Sequence, residues 1–285
     1  MKQALLEETA VMLLVKGYTI KTLTRTCFDL AARKEDQILL IKILEDANAV
    51  SEEFAQEMKT LSSCLEASAL IIAEKAGHKL QDSVVYSRFG VYTLNMHTFQ
   101  NCLNNKFPLA ISTKAGLAAK INKEKLKQAM EEESAAEIAR KIGVSRRMMQ
   151  KYEAEQAYIS MNKAQAMRKI LGDSILDKIN IFSAKKEAKQ EPKSDIARKY
   201  DDLGFESAET RKTPFDIVAK KEKEIVLTGI GDKMHRHLQP LSRLLEADRL
   251  IIFRKKKPKD TPALTKKEFL EFEKAKELIK FIKEF

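Results

Sequence analysis

The sequence predicts a multidomain chain, α/β at both ends and all-α in the middle. Three observations carry this reading. Ser134 to Glu153 has the pattern of two short helices around a tight turn. Phe28–Ile41 matches Phe215–Thr228 without a gap, at a constant offset of 187 residues. A lysine- and glutamate-rich run, 183–212, separates the middle from the second matching stretch. At 285 residues and 44% apolar content, the chain is long and apolar enough for two or three packed domains. The expected boundaries are 1–113, 116–182, a linker over 183–212 with some helix around Ser194–Leu203, and 213–285.

The N-terminal part reads as helix, strand, hairpin, strand, helix, strand, strand, helix. In both matching stretches a β-branched and apolar run turns at charged residues and returns as a second run of the same kind, the mark of a hairpin. Further on, Leu61–Lys75 matches Leu241–Lys255, a helix followed by a buried strand. The two stretches end alike, Val91–Leu94 leading into a helix from Met96 and Thr261–Leu264 into a helix from Thr265. Each α/β part is thus an internal repeat of single-domain size.

The middle part opens with Lys123–Met130, which fits a helix. Ser134 and Glu137 form a capping box, and Ile138, Ala139 and Ile142 supply an apolar stripe. Gly143 ends this helix at a tight turn, Val144 plugs the corner, and Ser145 caps the next helix. In that second helix Met149 and Tyr152 face inward. Arg146, Arg147, Gln150 and Lys151 face outward, with Lys141 nearby, and these with Ser145 form the expected DNA-binding set. An α-helix fits the major groove, where its first residues meet base edges, so double-stranded DNA is the implied partner. Ile159–Asn162, followed by KAQAMRKILG to Gly172, fits a capped closing helix.

Composition agrees. The formal net charge is +11 with a pI of about 9.3, which attracts phosphates in a salt-dependent way. Cys27, Cys64 and Cys102 are scattered, show no metal spacing, and suggest a reducing, cytoplasmic setting. His235 and His237, two apart, point to different faces of a helix and make no metal pair. There is no apolar run of membrane-span length, no glycine-rich phosphate loop, no nucleophile elbow and no zinc-finger spacing. The acidic, amphipathic start MKQALLEETAVMLLVKG is unlike a signal peptide. No cofactor, metal or enzymatic activity is expected, and the sequence does not specify an effector molecule.

The Gly143–Arg147 and Lys151–Glu153 words resemble the Cro/lambda-repressor type of helix-turn-helix, over about Gly116 to Phe182. That resemblance implies a five-helix domain, with Met148 and Met149 replacing the usual small or β-branched pair. The flanking strand–hairpin–strand pattern resembles restriction-endonuclease-like nucleases. Their signature is an Asp on one strand, then an acidic residue and a Lys two apart on the next, holding Mg²⁺ and orienting water. Asp29 and Lys42 fit the outer positions, but Leu40 stands at the middle one. In the second copy Asp216 is kept while Leu227 and Gly229 fill the other two. Glu7, Glu8, Glu45 and Asp46 are the nearest substitutes. The expectation is a degenerate, inactive site in which Asp29 and Asp216 cap the hairpin or pair with a lysine. As a whole the chain resembles a family of archaeal helix-turn-helix transcriptional regulators. This implies a sequence-specific DNA-binding regulator; the alternative is a Mg²⁺-dependent nuclease or resolvase targeted by the same motif. A homodimer is expected, paired through apolar faces of the α/β parts, on half-sites about one helical turn apart.

Overall fold

The protein is described here from a computed structural model, covering residues 2–183, 191–233 and 237–285. The chain opens with α1 (Lys2–Val15), β1 (Thr19–Thr22), the hairpin β2 (Leu30–Lys34) and β3 (Gln37–Asp46), α2 (Glu52–Leu65) and β4 (Ser68–Ala76). Next come β5 (His78–Lys79), β6 (Val84–Arg88), β7 (Val91–Leu94), α3 (Met96–Leu103), β8 (Ala110–Thr113) and β9 (Gly116–Ile121). Then follow α4 (Lys123–Glu132), α5 (Ala135–Ile142), α6 (Arg146–Glu153), β10 (Ile159–Ser160), α7 (Met161–Leu171) and β11 (Leu176–Asp177). The chain closes with α8 (Asp195–Asp202), β12 (Glu206–Glu209), β13 (Ile217–Lys221), β14 (Glu224–Ile230), α9 (Leu238–Leu245), β15 (Asp248–Phe253), β16 (Ala263–Thr265), α10 (Lys266–Leu270) and α11 (Ala275–Lys283).

These elements form two compact units: 1–73, 88–91 and 182–285 in one, 74–87 and 92–181 in the other. The expected boundaries 1–113, 116–182 and 213–285 therefore do not describe the packing. Residues 1–73 share a unit with the second α/β stretch, α2 packing on β12 and β13 and α9 on β1 and β2, while 74–87 and 92–113 belong to the other unit. In the run 183–212 the helix expected around Ser194–Leu203 is present as α8, while the expectation of a linker needs correction. Residues 184–190 lie outside the described residues, but α8 buries Ile196, Ala197 and Tyr200 in the core, and β12 pairs with β13. Alternate apolar residues in a charged stretch are enough to dock a short helix once a sheet is there to receive it.

In the first unit the strands run β1-β2-β3-β4 and β12-β13-β14-β15-β16. The two hairpins have the same register at an offset of 187: Leu30 faces Ile41 and Lys34 faces Gln37, as Ile217 faces Thr228 and Lys221 faces Glu224. β14–β15 and β15–β16 are parallel, and the core under this sheet gathers Tyr200, Phe205, Phe269, Leu278 and their neighbours.

The second unit has the order β7-β6-β8-β9-β10, with β11 also on β9. Its helices are not an all-α module. Four α-helices, α4 to α7, stand where five were expected, and three strands are built among them: Ile159 pairs with Ala119, and Leu176 with Ile121. Leu126, Ile138, Ile142, Met149, Tyr152, Ile159 and Met167 close one core, so the strands anchor both ends of the helical run.

Candidate nucleic-acid interface

Helix α5 begins at a complete capping box. Ser134 Oγ accepts from Glu137 N at 3.3 Å, and Glu137 Oε2 accepts from Ser134 N at 3.3 Å and Ser134 Oγ at 2.8 Å. These bonds favour the ionised carboxylate and hold the Glu137 carboxyl below its ordinary range. The helix ends at Gly143, whose φ of +69° is a left-handed conformation that a Cβ resists. There Val144 N donates to Ala139 O at 2.9 Å, which reverses the chain within two residues. Ser145 Oγ then accepts from Met148 N at 3.2 Å and starts α6.

The register set by this turn divides α6. Met149 and Tyr152 are buried against Ile138, Ala139 and Ile142. Arg146, Arg147, Gln150 and Lys151 are exposed, and among the described residues their side chains make no ion pair or hydrogen bond. Unpartnered cations on a rigid helix face are available to an external anion. The structure places the other two expected residues differently. Lys141 is ion-paired with Glu133, since α4 ends and the chain doubles back beside α5. The Ser145 hydroxyl is engaged as the cap.

Sequence reasoning missed Lys163. Its Nζ lies over the tight turn, 2.6 Å from where a Cβ on Gly143 would stand. A lysine in the first turn of α7 opposes the helix dipole, and that misplacement was the signal that its charge serves something else.

The hairpins hold the second set of candidates. Asp29 Oδ1 accepts from Lys2 Nζ at 3.1 Å and Lys42 Nζ at 3.3 Å, and Asp29 Oδ2 from Ile43 N at 2.9 Å. Lys42 Nζ also donates to Thr26 O at 2.9 Å. Leu40, at the position that would need a second carboxylate, is 0% exposed in the core, as is Leu227 in the second hairpin. Asp216 Oδ2 accepts from Ile230 N at 2.6 Å, with Lys233 Nζ 3.5 Å from Oδ1. The possible substitutes are turned elsewhere: Glu7 takes Gln3 Nε2, Glu45 takes Lys2 N, and Asp46 caps Asn48. Glu8 is exposed. Among the described residues no group of three His, Cys, Asp or Glu side chains could hold a metal ion. The donor set at Asp29 does not fit Mg²⁺, because two ammonium groups occupy the place where the cation would compensate the carboxylate. His235 lies outside the described residues; His237 is exposed ahead of α9.

The three cysteines are buried, and burial pushes each thiol up to about 12, which makes them poor nucleophiles and poor metal ligands. No helix among the described residues is long and apolar enough to cross a membrane.

Residues 2–108 match the model of the PD-(D/E)XK superfamily domain, which agrees with the strand–hairpin–strand arrangement around Asp29 and Lys42. Over its full length the chain belongs to a family of archaeal proteins that carry the name "Putative HTH-type transcriptional regulatory protein". It is 30% identical to the one from Methanocaldococcus jannaschii, over 99% of this chain and 97% of that protein. It is 29% identical to the one from Archaeoglobus fulgidus, covering 100% and 98%, and 29% identical to the one from Pyrococcus furiosus, covering 90% and 89%. No solved structure matches the chain.

Proposed function

We propose that this protein is a sequence-specific DNA-binding regulator of transcription that reads the major groove with α6. One observation carries the reading: the exposed face of α6 presents Arg146, Arg147, Gln150 and Lys151 with no side-chain partner among the described residues. In this role Arg146 and Arg147 enter first, each suited to bidentate bonding of guanine O6 and N7. Gln150 suits adenine, and Lys151 a base or phosphate one turn on. Lys163, beside the tight turn, is placed for a backbone phosphate. The names of the relatives support the same reading.

Selecting bound duplexes from a random pool gives the test its substrate. Arg146→Ala and Arg147→Ala are each expected to weaken binding to the selected site by roughly 1–3 kcal/mol, about 5- to 150-fold, and much less on a scrambled duplex. Equal losses on both duplexes would reduce the two arginines to phosphate contacts.

The similarity of residues 2–108 to PD-(D/E)XK domains supports a second reading, a nuclease directed to DNA by α6. The lysine-bound Asp29 and the buried Leu40 weigh against it. The expected result is no Mg²⁺- or Mn²⁺-dependent cleavage of duplex, single-stranded or branched DNA. Cleavage that Asp29→Asn abolishes establishes the nuclease reading instead.

A further inference from the structure

We propose that the two α/β halves form a built-in pair, so that one chain, with one α5–α6 motif among the described residues, binds one asymmetric duplex site without a second copy. The proposal rests on the DNA-reading role above for its second half only; the pairing stands on geometry alone.

Arg33 Nη2 meets Glu246 Oε2 at 2.6 Å, and Lys220 Nζ meets Glu66 Oε2 at 2.7 Å. These are the same contact made twice. Arg33 and Lys220 hold the same place in the two hairpins, 187 residues apart, and both side chains are 16% exposed. Glu66 and Glu246 hold the same place at the ends of α2 and α9, each in a left-handed C-cap conformation with φ of 52° and 50°. Arg33 Nη1 also donates to Leu245 O at 2.6 Å, setting a cation at the negative end of α9.

The helices repeat the exchange, α2 on β12 and β13, α9 on β1 and β2. A contact in which residue i of one half meets j of the other, while j of the first meets i of the second, has the form of a two-fold dimer interface. Here both sides belong to one chain. A tethered partner acts at an effective concentration on the order of millimolar, so at about 10 μM chain it outcompetes a second molecule roughly 100-fold. The surfaces that make this exchange are occupied within the chain, and among the described residues one reading helix is carried per pair.

Light scattering on the full-length chain, free and with the selected duplex, tests this. The expected results are a mass of 32.5 kDa for the free chain, one chain per duplex, and a selected sequence without two-fold symmetry. A free dimer, or two chains on a palindrome, overturns the proposal. If no duplex is selected at all, the DNA reading fails, while the mass of the free chain still decides the pairing. A charge exchange checks the contact itself. Arg33→Glu is expected to lower the melting temperature by about 3 °C, and Arg33→Glu with Glu246→Arg to recover part of that loss, since the bond to Leu245 O is not restored. No recovery in the exchanged variant removes the contact from the argument and with it the built-in pair.

Discussion

Set side by side, the two α/β halves place the same bonds at the same stations. Tyr18 N donates to Leu13 O as Phe205 N donates to Tyr200 O. Lys34 Nζ reaches Lys16 O as Lys221 Nζ reaches Leu203 O. Asp29 Oδ2 takes Ile43 N as Asp216 Oδ2 takes Ile230 N. The halves part company at the cations. Asp29 is buried between Lys2 and Lys42, while the Asp216 side chain is 28% exposed and, among the described residues, has one cation beside it, Lys233 at 3.5 Å. What the halves share is therefore a backbone role: a carboxylate that ties one strand of the hairpin to the next. The surrounding charges are free to change because they do not build the fold. The same distinction separates both hairpins from α6, whose cations have no carboxylate partner among the described residues.

The largest expected effect breaks the two halves apart at this carboxylate. Asp29→Ala leaves Ile43 N–H without its acceptor and two lysines without their carboxylate in a mostly buried place. Removing one partner of a buried ion pair costs 3–5 kcal/mol; with Lys2 half-exposed, a loss of about 3 kcal/mol is expected. Asp216→Ala removes one charge-assisted bond at a more open site and should cost about 1 kcal/mol. Urea unfolding of both variants gives the comparison, and equal losses would show that Lys2 and Lys42 add nothing to Asp29.

The hairpins were legible because a run that alternates or stays apolar, broken by charged turn residues, has few other solutions. The constant offset of 187 then linked one to the other. The capping box at Ser134 and the turn at Gly143 were legible for a similar reason: their chemistry is local. What escaped was decided at a distance. The correspondence between the halves extends back to Leu13 and Tyr200, but there the residues differ and only the backbone bonds agree. Gly116–Ile121 contains two alanines, suited to a helix, and becomes a strand because β8, β10 and β11 pair with it. Lys141 is assigned to DNA as a cation near α6, although Glu137 stands one turn back in the same helix. Its partner, Glu133, belongs to the preceding turn of chain. The assignment of Arg146, Arg147, Gln150 and Lys151 to the exposed face needed only the helical period, but their role in DNA reading needs the binding experiment.

A middle-sized effect concerns the interior. Tyr200 Oη and Thr228 Oγ1, both buried, share a hydrogen bond of 2.7 Å, and burial raises the Tyr200 phenol far above its ordinary range. At the same stations the first half has Leu13 and Ile41, an apolar pair. Tyr200→Phe strands the threonine hydroxyl in the core and is expected to cost about 1.5 kcal/mol. Adding Thr228→Val removes the stranded group, so the double variant should recover about half of that loss. A double variant less stable than Tyr200→Phe alone would mean that the second half needs its polar pair for more than mutual satisfaction.

The smallest effect asks whether equivalent stations are equivalent in energy. Lys34 Nζ sits 5.9 Å from the Tyr18 ring centre and donates to a carbonyl just past α1; Lys221 Nζ sits 5.8 Å from Phe205 and donates to one just past α8. Both cations cap the negative end of a helix and rest on an aromatic face, two contributions of a few tenths of a kcal/mol each at accessible sites. Lys34→Met and Lys221→Met keep most of the apolar stem and remove the charge, so each should cost about 0.5 kcal/mol. Lys221 is the less exposed of the two and its loss should be slightly the larger. Raising the salt concentration to about 1 M should shrink both losses together, since screening acts on exposed charges and leaves the stems alone. If only one of the pair responds to salt, the two halves have diverged at this station in environment as well as in sequence, and the match of their hydrogen bonds is geometric only.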